Sequence, residues 1–270
     1  MEKQRKSLSF WLLTAFFVLF VLFLYGPMIA VFILSFQGPT GGMTFPLRGV
    51  SLHWFSDLFT SSRYGDLGGS FWRSILLSLL AMAITVVVSF FAGLAFRHRF
   101  PASGLLFYLA IVSLVMPGIL TGLGIATIFQ TLGLSTHWLV SGLGAHLSWT
   151  LPFGLLIMFA VLNRFNSSWE EAARDAGARP YQVLGMVTLP IVFPGLIAVA
   201  LFGLTLSYDE YPRSLLTVGT KNTLPIQIAN LTANVTTPAL YAIGTLTTLF
   251  SLIVIAGAFG AISIAARKRK

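Results

Sequence analysis

Between Leu8 and Leu34 the chain carries no charged side chain, and further largely apolar runs follow at 71–96, 105–129, 138–162, 191–211 and 238–266. Runs of ~20 residues match a hydrocarbon core of ~30 Å, where a backbone must satisfy its own N–H and C=O groups and so coils into helices. The fold class expected is therefore all-α: a polytopic membrane helical bundle of six transmembrane helices, a single domain over 1–270. Charged residues make up only 9% of the chain, against about 25% in soluble domains, and no polar stretch is long enough to fold separately. The net charge of +9 does not point to nucleic acid, because Lys and Arg collect in the cytoplasmic loops of membrane proteins. Without cysteine there is no disulfide, thiolate metal site or cysteine nucleophile.

Taken in order, the basic start before Leu8 would suit a cleaved signal sequence, but the apolar run exceeds the ~7–15 residues of such a segment. Ser35 to Ser70 is rich in Gly, Pro, Ser and Thr and contains SLHWFSDLF. There Leu52, Phe55, Leu58 and Phe59 recur at helical spacing, as in a short helix on the membrane surface or an ordered loop packed on the helix ends. The third run carries Pro117 within MPGILTGLG, where Gly118 and Gly122 have the spacing that lets helices approach closely. That segment reads either as a kinked packing face or as the lining of a path. An even number of spans puts both termini on one side. Assigning that side as cytoplasmic collects twelve of the seventeen basic residues: Lys3, Arg5, Lys6, Arg97, Arg99, Arg164, Arg174, Arg179, Arg267, Lys268, Arg269 and Lys270.

The 163–190 segment, NRFNSSWEEAARDAGARPYQVLGMVTLP, is then a cytoplasmic polar island between apolar runs, with three of the eight acidic residues. Ser168 and Glu171 have capping-box spacing, which predicts a helix from Trp169. Ala172, Ala173, Ala176 and Gly177 form a small-residue stripe beside Glu170, Glu171, Arg174 and Asp175. Gly177 suits the left-handed position ending that helix, and Pro180 the first turn of a second one, stopped by Pro190. Such a face suits close docking of a partner, or is an ordinary solvated connector.

Glu171-Ala172-Ala173, Gly177, Val187 and Leu189-Pro190 resemble the EAA loop of membrane subunits of bacterial ABC importers, with Val187 where the family usually has isoleucine. The resemblance implies a type I importer permease in the bacterial cytoplasmic membrane, both termini cytoplasmic, whose 163–190 loop couples to an ATPase. The coupling residues it implies are Glu170, Glu171, Ala172, Ala173, Asp175, Gly177, Leu189 and Pro190, with Glu171 pairing with a basic group of the ATPase. It also implies the partners: two copies of a cytoplasmic ATP-binding subunit, a second and different permease subunit, an external solute-binding protein and the lipid bilayer. The TLSYDEYPRS stretch is most similar to the spermidine/putrescine permease group, which implies a polyamine solute. Related permeases handling ferric iron, opines, phosphonates or thiamine are the alternatives, and a stand-alone channel or secondary transporter is the alternative class.

Tyr208, Asp209, Glu210 and Tyr211 are candidate substrate-path residues, because carboxylates beside aromatic rings attract a cationic amine. Asp209 has Arg213 four residues on, so the pair could equally be a local ion pair or a solvated helix end. Neither a metal-ligand pattern among His53, His98, His137 and His146 nor a nucleotide-binding loop or nucleophile motif is present. No enzyme activity and no cofactor are expected; ATP hydrolysis belongs to a separate subunit.

Overall fold

The computed structural model describes residues 7–98 and 100–267, without the side chains of 258, 259 and 261–267. Lys3, Arg5, Lys6, Arg99, Lys268, Arg269, Lys270 and the Arg267 side chain, all used to orient the chain, lie outside the described residues. The first helices are α1 (Leu8–Leu34), α2 (His53–Thr60), α3 (Leu67–Phe96), α4 (Ser103–Val115) and α5 (Gly118–Thr131). A π-helical turn, Trp138–Gly142, leads into α6 (Leu143–Leu162), followed by α7 (Ser168–Asp175) and α8 (Pro180–Gln182). A second π turn, Val183–Thr188, joins α8 to α9 (Leu189–Tyr208), and α10 (Ser214–Thr217), α11 (Leu224–Asn234) and α12 (Ala239–Arg267) complete the order. Among the described residues there is no strand beyond one isolated bridge, Gln37 to Val50. Among the described residues five helical rods are long and apolar enough to cross a membrane, six if the bent α4–α5 pair makes one crossing.

The chain divides into two compact units, of which the first is 1–65 with 230–250. After α1, the fully buried Gln37 organises the loop: its Oε1 accepts from the Arg48 N–H at 2.6 Å and its Nε2 donates to the Gly42 carbonyl at 3.1 Å. The Tyr241 hydroxyl donates to the Met43 carbonyl at 2.7 Å. The SLHWFSDLF segment is the helix α2, with Trp54 and Leu58 buried, Phe55 packed on Phe36, and Leu52 and Phe59 exposed. The buried pair is spaced i, i+4, so the helix turns a different side inward than the Leu52, Phe59 pattern suggests.

The second unit, 66–229 with 251–270, is built on α3, α6 and α9. Phe90, Met158, Leu162, Val192, Leu196 and Val199 form its apolar core. Between α3 and α6 the approach depends on Gly154, where a Cβ would lie 2.3 Å from Ser89 Oγ and 2.7 Å from Thr85 Cγ2. Ser70, Ser74, Ser78, Thr85 and Ser89 run down the buried side of α3, small polar residues of the kind that let membrane helices pack closely. Thr85 and Thr150 close a buried hydroxyl contact of 2.7 Å across the pair.

The run 105–129, read as one span with Pro117 in its middle and a kink as one reading, is two helices bent by 109°. Pro117 forces extended backbone on Met116 (ψ 129°) and itself precedes α5 as its cap, so the helix cannot continue through it. The pair still traverses the unit. Phe159, near the end of α6, meets both Phe96 at the end of α3 and Phe107 at the start of α4, each at 5.2 Å. The ends of α3 and α6 and the start of α4 therefore share one end of the bundle, and α4–α5 must carry the chain to the other before α6 begins.

Pro152 inside α6 has no N–H to offer the Ser148 carbonyl one turn earlier, and the Ser113 hydroxyl of α4 supplies that bond. Ser113→Ala is expected to lower stability by ~1 kcal/mol, read as a lower thermal midpoint of the detergent-solubilised protein. An unchanged midpoint would mean the carbonyl finds another donor. Val88, Ser89, Ala110, Ser113 and Leu155 line a cleft of about 350 Å³ at this level, with hydroxyls but no charged group.

Candidate functional site

The polar island forms at the end of the bundle shared by the last turns of α3 and α6. Its helix α7 is capped by Asn166, whose Oδ1 accepts from the Ser168 N–H at 3.0 Å. The expected Ser168–Glu171 capping box does not form: Ser167 is the residue before the helix, and Glu171 points to solvent. An asparagine two residues upstream reaches the first free N–H groups and takes the serine's place. At the other end Gly177 has φ +87°, its N–H bonds to the Arg174 carbonyl at 2.8 Å, and the Ala178 N–H bonds to the Ala173 carbonyl at 3.0 Å. This is a Schellman stop, and it puts Gly177 in the left-handed position that its sequence context suggests.

The second expected helix does not stop at Pro190. From Pro180 the chain runs through the π turn into α9 as one rod to Tyr208. In the π turn the Leu189 N–H pairs with the Leu184 carbonyl five residues back. Pro190, which has no N–H, sits just where the ladder returns to ordinary pairing, so the turn absorbs it without a break. The rod is ~43 Å long, more than a ~30 Å hydrocarbon core needs, so its first turns project beyond the core. Leu189 and Pro190 thus belong to the base of a spanning helix rather than to a free loop.

The two adjacent glutamates face opposite ways. Glu170 is the one buried residue of α7, 8% exposed, and accepts two bonds from Arg97: Nη1 to Oε1 at 2.9 Å and Nη2 to Oε2 at 3.0 Å. The Thr188 hydroxyl donates to Oε1 at 2.6 Å. Arg97 also lies 5.0 Å over the Phe165 ring, which meets Trp169 edge-on. Burial alone would raise the Glu170 carboxyl, but the bonds from Arg97 and Thr188, aided by the charges of Arg97 and Arg174, hold it below its ordinary value of 4.5. With the folded value depressed, the contact is complete at neutral pH and is lost only as pH falls through that lowered value.

Glu171, Ala172, Asp175 and Gly177 are exposed, and Ala173 is half-buried. Trp169, Tyr181 and Met186 of the same segment are also exposed. Trp169 stands alone among polar and small residues in the sequence, whereas Met186 lies in the apolar run VLGMVTL and carries no such mark. Of the implied coupling set, Glu170 has its carboxylate bonded within the chain, to Arg97 and Thr188.

At the opposite end of α9 the four path candidates separate in the same way. Tyr208 and Glu210 are buried, while Asp209 and Tyr211 are exposed. The ion pair there is Glu210–Arg213, not Asp209–Arg213: Glu210 Oε2 lies 3.2 Å from Arg213 Nη1, and Oε1 accepts from the Arg213 N–H at 3.0 Å. The chain leaves the helical course at Asp209, so i, i+4 spacing no longer puts two side chains on one face. Arg213 lies 4.5 Å over the Trp149 ring. Gly118 and Gly122 admit it: a Cβ on Gly118 would be 2.9 Å from Arg213 Nη1, and one on Gly122 2.9 Å from its carbonyl. The close-packing reading of MPGILTGLG is thus the one observed. His146, fully buried, joins the same cluster, with Nδ1 2.7 Å from Ser207 Oγ and Nε2 2.8 Å from Ser214 Oγ. Ser214 spends its proton on the Glu210 carbonyl, so its oxygen accepts from His146 Nε2. Arg213 Nε is buried in this cluster with no hydrogen-bond partner among the described residues, and Asp209 is the exposed acidic side chain of the pair. No group of metal-binding side chains occurs among the described residues.

Residues 85–268 match the family described as binding-protein-dependent transport system inner membrane component. The chain is 28% identical to the spermidine/putrescine transport system permease protein PotC of Haemophilus influenzae over 250 residues, covering 90% of this chain and 93% of that one. To the putrescine transport system permease protein PotI of Escherichia coli K12 it is 27% identical over 237 residues, covering 83% and 81%. Among solved structures it resembles a chain of a bacterial alginate ABC transporter in complex with an alginate-bound periplasmic protein, with TM-score 0.65, 15% identity, and 97% of this chain and 95% of that one covered. A chain of the inward-facing MetNI methionine ABC transporter matches with TM-score 0.59 and 16% identity over 74% of this chain and 95% of that one. At such identities the structures speak for the fold alone.

Proposed function

Starting from the fact that this chain belongs to the family of binding-protein-dependent transport system inner membrane components, a multi-pass transport permease and not an enzyme, we propose that it passes a polyamine through the membrane on work done at α7. The observation that carries this is the split of the Glu170, Glu171 pair: one glutamate anchors α7 to the bundle, and the other leads an open small-residue face. A short helix whose outer side is Glu171, Ala172 and Asp175, with Gly177 just past its end, buries almost nothing against its own chain, and an ATP-hydrolysing subunit is the partner that would cover it. That face lies in the cytoplasm with both termini, so α9 ends on the outer side. Two such ATPase subunits, a second and different permease subunit and an external solute-binding protein complete the assembly. The polyamine assignment rests on the names of the relatives and on the open Asp209 beside Tyr211.

The test is spermidine uptake into proteoliposomes holding the whole complex, with ATP inside and the binding protein outside. Uptake is expected to need both. Asp209→Asn is expected to weaken apparent spermidine affinity about fivefold, the ~1 kcal/mol of a partly solvated charge contact, with the ATPase still bound. Unchanged uptake by Asp209→Asn would remove this residue from the path, and uptake of another solute class in place of spermidine would overturn the polyamine assignment.

A further inference from the structure

The α7 helix is eight residues long, too short to hold itself, and the one side chain it buries is a carboxylate. Apolar burial therefore does not fix its position. What holds it is a three-way polar contact: Arg97 comes directly after the last residue of α3, and Thr188 directly before the first residue of α9. Both guanidinium bonds run parallel to the two carboxylate oxygens, a geometry that resists rotation as well as translation. Arg97 is itself braced against Phe165 in the connection from α6 to α7. The helices so joined are a close-packed pair, since a Cβ on Gly203 of α9 would lie 3.3 Å from the Met82 Cα of α3.

We propose that Glu170 is a positioning residue that locks α7 to the adjoining ends of α3 and α9, so that a displacement imposed on α7 from outside is delivered to those two helices as one body. This rests on the reading of α7 as the ATPase-docking element. It gives the paired glutamates separate tasks: Glu171 meets the partner, and Glu170 turns the partner's push into movement of the bundle. An unpaired or softened contact would leave α7 docked but free to slide under load, which separates ATP hydrolysis from solute movement.

The experiment measures solute moved per ATP hydrolysed, in proteoliposomes holding the complete complex, for wild type, Glu170→Gln, Thr188→Val and the exchange Glu170→Arg with Arg97→Glu. Glu170→Gln keeps the shape and removes the charge. Its ratio is expected to fall by roughly 3- to 30-fold, with the ATPase retained and hydrolysis continuing. Thr188→Val, which leaves the ion pair in place, should give a smaller fall and serves if Glu170→Gln does not accumulate. The exchange restores an ion pair between the same two positions and should recover part of the ratio; a fall in the ratio with the ATPase bound and hydrolysing is what a merely structural role would not produce. An unchanged ratio in Glu170→Gln, or in Thr188→Val where the first is not obtained, overturns the inference, as does loss of the ATPase from Glu170→Gln, which would make that glutamate a docking contact. A wild-type complex that binds no ATPase would instead defeat the reading of α7 itself, so the two failures are distinct.

Discussion

Glu171→Arg and, separately, Gly177→Glu are each expected to accumulate in the membrane at the wild-type level and to lose the ATP-hydrolysing subunit on purification. Glu171 is exposed and makes no ion pair among the described residues, so reversing its charge disturbs nothing within the chain. Gly177 has no heavy atom within 4 Å of the place a Cβ would take, so the chain itself has room for a side chain there. Its φ of +87° would strain a non-glycine residue by ~1–2 kcal/mol, which Asn bears more easily than Glu. Gly177→Asn is therefore the control for backbone strain, and a greater loss in Gly177→Glu reports bulk and charge meeting a partner. A misplaced like charge in a docked interface costs several kcal/mol, so retention should weaken on the order of 100-fold. Affinity capture of tagged permease, with the ATPase measured in the eluate, reads the result. Full retention in both variants would exclude this face as the docking site.

The second large effect is expected at the far end of α9. Arg213→Met leaves Glu210, 6% exposed, with a carboxylate whose remaining bond is to the backbone N–H of residue 213. Removing one member of a buried pair costs ~3–5 kcal/mol, much of a typical margin of stability. The yield of monodisperse protein after detergent extraction should fall sharply. Neutralising both, as Glu210→Gln with Arg213→Met, should restore most of it, because no buried charge is then left alone. If single and double variants lose the same yield, the packing of Arg213 on Trp149 and Gly118 is what matters, and the charge pair is not.

These two predictions concern one end of the bundle each, and their legibility differed. Gly177 could be read directly: a glycine after a capped amphipathic turn, with a proline three residues on, has few other uses. The roles of Glu170 and Glu171 could not be separated, because adjacent residues on a helix differ by ~100° and nothing local says which direction is inward. The answer needed Arg97, 73 residues away in sequence. Asp209 and Glu210 posed the same problem, and i, i+4 spacing favoured the wrong one, since the helix ends at Tyr208. His146 looked isolated in sequence; its partners Ser207 and Ser214 are 61 and 68 residues on.

From its sequence alone the chain could be assigned long helices in a membrane, a polar loop with a glycine stop, and a family resemblance carried by that loop. Each of these follows from composition and short-range periodicity, which act through neighbours along the chain. Tertiary structure decided the size of the turn at Pro117, 109°, the fusion of α8 with α9 through a π turn, and the inward or outward sense of every carboxylate near the two ends. The reason is that a charge in a largely apolar bundle is placed by whichever distant partner can neutralise it, and that partner is chosen by packing rather than by spacing.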